Sequence, residues 1–115
     1  MNSARTLLVA AAVMAGQSCA VIFTSDTPSK DAHRLVADGA RLVDVRSADE
    51  YAAGHIEGAV NIPVGELEAR EAEVGPKDVP VVVYCRSGHR ADRAAKLLRG
   101  AGWKEVHNLG PRSYW

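Results

Sequence analysis

The chain is poor in cysteine, has no excess of charge of either sign, and carries no internal repeat or low-complexity tract. Lys and Arg number 14, as do Asp and Glu, and they are spread along the 115 residues. A balanced surface of this kind gives no electrostatic footprint for nucleic acid, so a nucleic-acid partner is not expected. The only cysteines are Cys19 and Cys85. No Cys/His spacing suits a structural metal, and no glycine-rich fingerprint suits a nucleotide, so neither a metal nor another cofactor is expected. With 47% apolar residues, a chain this short builds one modest core and is expected to be a single domain of limited stability.

The first twenty residues differ from the rest. Arg5 supplies a positive start, Leu7 to Ala15 form an apolar stretch, and Ser18-Cys19-Ala20 places small residues at −3 and −1 of a cleavage site. This order reads as a bacterial-type export signal over residues 1–20, with the mature chain starting at Val21 in the periplasm. A retained membrane anchor is the alternative, because Thr6 to Ser25 is uncharged, but Gly16-Gln17-Ser18 interrupts the run short of a comfortable span. A lipoprotein cysteine at Cys19 is a minor reading, since Gly16 and Gln17 fit such a site poorly. Cleavage after Ala20 leaves Cys85 alone. An intrachain disulfide is then impossible, and a self-contained thiol–disulfide oxidoreductase lacks its resolving cysteine. No stable membrane association is expected after cleavage.

Beyond the leader, apolar patterns alternate between periods of about two and 3.6. Ser29 reads as the cap of a helix over about Lys30 to Ala37. A strand is expected at Leu42 to Val45, a helical turn at Ala48 to Ala53, a strand at Ala59 to Ile62 and a Glu-rich helix at Gly65 to Ala72. After the turn at Gly75-Pro76-Lys77-Asp78, Val81-Val82-Val83-Tyr84 is a β-branched run suited to a parallel strand buried on both faces. A helix from about Ala91 and a short strand near Glu105 to Asn108 complete the chain. Strands alternating with helices predict an α/β domain: a small parallel sheet flanked by helices on both faces.

Between that apolar strand and the helix lies Cys85-Arg86-Ser87-Gly88-His89-Arg90. Its position at the carboxyl end of a strand and the amino end of a helix makes it an anion-binding loop, with backbone N–H groups turned inward. The helix terminus, Arg86 and Arg90 all favour thiolate over thiol at Cys85, which is therefore expected to be a nucleophile. Gly88 lets the backbone turn inward without a Cβ clash.

Several blocks, in order, resemble the rhodanese sulfurtransferases. Leu42-Val43-Asp44-Val45-Arg46 resembles that family's strand ending in Asp-x-Arg. Glu50-Tyr51, Gly54-His55-Ile56, Gly58-Ala59 and Asn61-Ile62-Pro63 follow in register, and Val83-Tyr84-Cys85-Arg86-Ser87-Gly88 matches the active segment. The resemblance runs from about Asp26 to Trp115, making residues 21–115 a rhodanese-like domain. It departs at the end: in Leu109-Gly110-Pro111-Arg112-Ser113-Tyr114-Trp115, Pro111 stands for a glycine and Arg112 for an apolar residue.

The resemblance implies transfer of the sulfane sulfur of thiosulfate, or of a related persulfide donor, through a Cys85 persulfide to cyanide or a thiol, including a thiol on a protein. Arg86, Ser87, Gly88, His89 and Arg90 would bind the donor. Arg86 attracts the anion, the His89 side chain faces solvent while its N–H serves the loop, and Arg90 either contacts the anion or closes the loop. Asp44 and Arg46 either shape the pocket rim or, by the preferred reading, brace neighbouring loops; His55 holds a turn, and His33 and His107 are surface residues. Two rivals stand. A phosphatase or arsenate reductase also uses a cysteine in an N–H ring, but its signature has five residues between Cys and Arg where this chain has four. A persulfide carrier with little turnover is the other.

Overall fold

The computed structural model describes residues 26–115. The leader, Cys19 and the cleavage site lie outside the described residues. Four parallel strands, β1 (Arg41–Asp44), β2 (Val60–Asn61), β3 (Val81–Cys85) and β4 (Val106–Pro111), form one sheet in the order β2-β1-β3-β4. Among the described residues three α-helices accompany them: α1 (Ser29–Ala37), α2 (Ala48–Ala53) and α3 (His89–Gly100).

β3 is central and all five of its residues are buried, as an unbroken Val-Val-Val-Tyr-Cys run requires. Its side chains alternate between two cores. Val81, Val83 and Cys85 pack with Ala91, Ala94, Ala95 and Leu98 of α3, while Val82 and Tyr84 pack with Ala32 of α1 and with Leu42, Ile56 and Leu109. Each face of the sheet is therefore covered by a helix, which is the architecture expected for a sheet with parallel crossovers.

Three local expectations are corrected. The hydroxyl of Ser29 donates to the Trp115 carbonyl at 2.5 Å, and Pro28 precedes α1 with no side-chain cap. Gly65 to Ala72 forms two 3₁₀ segments, Val64–Glu66 and Glu68–Glu73, the second interrupted at Arg70, whose φ of −118° is not helical. Arg70 bonds to Glu66 and Glu73 instead, in a fan suited to a tight turn. β4 runs on to Pro111 because Leu109 is accommodated as a bulge: Val83 pairs with Asn108 but Tyr84 with Gly110. Among the described residues no helix is long and apolar enough to cross a membrane.

Candidate active site

Cys85 ends β3 and Gly88 immediately precedes α3, so the loop is only as long as needed to turn from sheet to helix. Gly88 makes that turn at φ +107°, a conformation that L-residues with side chains avoid. Its N–H donates to Cys85 Sγ at 2.9 Å. The first bond within α3 runs from Asp92 N–H to the Gly88 carbonyl, so the N–H groups of Arg90 and Ala91 have no carbonyl to meet inside the helix. Together with the helix dipole they make the loop electropositive where the sulfur sits. Cys85 is fully buried, whereas Arg86, Ser87 and His89 are exposed above it. Pro111, paired with Cys85 across the sheet, lies against Gly88: a β-carbon built there would stand 3.7 Å from the proline Cδ. The end of β4 thus backs the loop despite the departure at Pro111.

Arg90 closes the loop onto α2. Its guanidinium grips Glu50 with two bonds, Nη1 to Oε1 at 2.6 Å and Nη2 to Oε2 at 3.0 Å. Glu50 is held from the other side by the capping box of α2, in which it accepts from the Ser47 N–H and hydroxyl, both at 3.0 Å, while its own N–H donates to Ser47 Oγ. Arg90 foremost, and then the Ser47 N–H, hold the Glu50 carboxyl far below the usual carboxylate range. The same bond, with the charge of Glu50 behind it, raises the Arg90 pKa. The Ser-x-x-Glu spacing at residues 47–50 signals the capping box, but nothing local signals its reach to Arg90.

Beneath the loop lies a buried polar network. Arg46 bonds Asp44 through Nε and Nη2, the closest contact being 2.6 Å, and its Nη2 also reaches the Gly54 carbonyl at 2.7 Å. The Tyr84 hydroxyl donates to Asp44 Oδ2 at 2.8 Å and accepts from the Ile56 N–H at 3.0 Å. Asp44 and Arg46 are almost wholly buried, and they tie the ends of β1 and β3 to the segment after α2. His55 stacks on Tyr51 at 3.7 Å and bonds the Tyr51 carbonyl at 2.8 Å, which holds it against the last turn of α2. His33 is exposed and stacks on Trp115, and His107 pairs with Glu105 at the rim of the sheet.

Beside the loop opens a cleft of about 470 Å³, lined by Arg46, Glu50, Gly54, Arg86, Arg112 and Ser113 among others. Arg46 also forms part of its wall, so it both braces the loops and shapes the rim. Sequence reasoning left Gly54, Arg112 and Ser113 out of the site. The one signal was the arginine standing at 112 where the pattern has an apolar residue. Among the described residues no group of three His, Cys, Asp or Glu side chains is placed to hold a metal ion.

A deeply held cysteine at a strand end, a six-residue loop whose Gly88 N–H meets the sulfur and a parallel sheet with helices on both faces define a rhodanese-type domain. The family profile described as "Rhodanese-like domain" matches residues 29–110, and the chain belongs to that family. Thiosulfate:glutathione sulfurtransferase of Homo sapiens is 42% identical over 88 residues, covering 64% of this chain and 76% of that one. The putative sulfur carrier protein YrkF of Bacillus subtilis is 40% identical over 70 residues, covering 61% of this chain and 37% of that one. The chain spans about half the length, or less, of several such curated relatives. Among solved structures, a human single-domain sulfurtransferase superposes with a TM-score of 0.68 at 32% identity, covering 80% of this chain and 92% of that one.

Proposed function

We propose that the protein is a thiosulfate sulfurtransferase working by double displacement at Cys85. The observation that carries this reading is the Gly88 N–H aimed at Cys85 Sγ inside a short loop whose remaining amides start a helix. The thiolate attacks the outer sulfur of thiosulfate, the S–S bond of the donor breaks, and sulfite leaves with the electron pair. The Cys85 persulfide bears the negative charge on its terminal sulfur, where the amides and Arg86 stabilise it. An acceptor thiolate or cyanide then attacks that sulfur and Cys85 leaves as thiolate, restoring the starting state.

Names of relatives support the donor and one acceptor class: both thiosulfate and glutathione occur in the name of the human relative. The six-residue loop argues against phosphoryl transfer, because a phosphoryl group has three peripheral oxygens to satisfy and needs a wider ring. The complete burial of Cys85 favours one second reading, a persulfide carrier that loads readily and discharges slowly, in line with the relative named as a sulfur carrier. Steady-state thiocyanate formation from thiosulfate and cyanide separates the two. An enzyme turns over many times per Cys85, a carrier once. Export of residues 21–115 to the periplasm by the leader is part of the same proposal.

A further inference from the structure

The cleft beside the loop is larger and more basic than the donor requires. Three arginines line it, but Arg46 is committed to Asp44, and Glu50, the carboxylate in its wall, is committed to Arg90. That leaves Arg86 and Arg112, both exposed and both without a carboxylate partner among the described residues. Arg112 lies over Gly54: a β-carbon built on that glycine would stand 3.4 Å from its Nη2. A β-carbon there would meet the guanidinium at ordinary contact distance, so Arg112 packs directly against the backbone of the cleft wall. The chain is turned toward this place by Pro111, which ends β4 in extended conformation (φ −67°, ψ 144°) before the 3₁₀ turn Arg112–Tyr114. A cleft of about 470 Å³ is within the ordinary range for small-molecule sites and greatly exceeds a thiosulfate ion.

We infer that Arg112 is a specificity-determining residue for the acceptor: it binds the carboxylate of a low-molecular-weight thiol of peptide size, with Arg86 as its companion toward the sulfur. The inference rests on the sulfurtransferase reading for its chemistry, but the binding site stands apart from turnover. A guanidinium recognises a carboxylate with two parallel bonds, so it selects acceptors that carry one over neutral thiols and cyanide.

The test uses the full chain and two variants, Arg112→Met and Arg112→Lys. With thiosulfate as donor, Arg112→Met is expected to raise the KM for glutathione about five- to tenfold more than the KM for 2-mercaptoethanol, as for the loss of one partly screened charge-assisted contact. Arg112→Lys should recover part of that loss, and the difference should shrink as salt rises. Equal losses with both thiols, or none with glutathione, overturn the inference. Calorimetric binding of S-methylglutathione, which cannot accept sulfur, decides the site without turnover. Native protein should bind it at least about fivefold more tightly than Arg112→Met. Equal binding by the two proteins refutes the carboxylate site, whereas discrimination without any sulfur transfer would retain the site and refute the sulfurtransferase reading.

Discussion

Replacing Tyr84 by Phe removes one oxygen from the middle of the polar network and separates what holds the loop in place from what performs the chemistry. The hydroxyl is fully buried; burial, and next the Asp44 carboxylate acting against the Ile56 N–H, push its pKa above the usual tyrosine range, so it is a neutral donor throughout the working range of pH. In Tyr84→Phe, the Ile56 N–H loses its acceptor, a loss of about 1–3 kcal/mol for a buried group left unpaired. Asp44 keeps its bonds from Arg46 and suffers less. A total near 2 kcal/mol in a domain of this size corresponds to a fall in Tm of roughly 8–16 °C. Urea unfolding should show a lower midpoint with the same slope, which assigns the change to stability rather than to the unfolded ensemble. The Tyr84 ring packs on the α1 face of the sheet and Cys85 on the α3 face, so sulfur loading well below the melt should stay near native. A loss under about 0.5 kcal/mol, or a folded variant that no longer loads sulfur, would refute this division of labour.

Other perturbations reach the loop from different sides. Arg86→Ala should raise the KM for thiosulfate more than it lowers kcat, with a penalty that shrinks as salt rises; an unchanged KM at low salt would remove Arg86 from the donor site. Glu50→Gln keeps an acceptor for the capping box but removes the charge that holds Arg90. Because the folded carboxyl lies below its ordinary value of 4.5, the stabilisation is present above that pH and fades as pH falls below it. With both side chains about a third exposed, native protein should exceed the variant by no more than about 1 kcal/mol at neutral pH, and the two stabilities should converge in acid. The leader predicts that protein recovered from the host envelope begins at Val21, which N-terminal sequencing checks; an intact Met1 in the membrane fraction would indicate an anchor.

The parts of the molecule that show in the sequence are those where one local cause dominates. A β-branched run with no polar interruption gives β3, and a strand meeting a helix through Ser-Gly gives the loop at Cys85. The Ser29 hydroxyl has two uses, a cap or a distant carbonyl, and only the docking of Trp115 selects the second. The helix expected after Gly65 has too little apolar surface to propagate, and Arg70 draws Glu66 and Glu73 into short turns. The bulge at Leu109 follows from the partner strand, which no local pattern reveals. At the site, the Ser47 to Glu50 signature announces a helix start but not that the same carboxylate holds Arg90 forty residues away. Arg112 is visible as a misfit, yet its place over Gly54 depends on two segments far apart in the chain.

Intact-mass spectrometry of the purified protein, before and after thiosulfate and again after cyanide, tests the assignment of Cys85 most directly. Native protein should gain the mass of one sulfur atom, lose it on addition of cyanide with release of thiocyanate, and show neither change in Cys85→Ser. Sulfur loading retained by Cys85→Ser, or no loading of the folded native protein, would contradict the account.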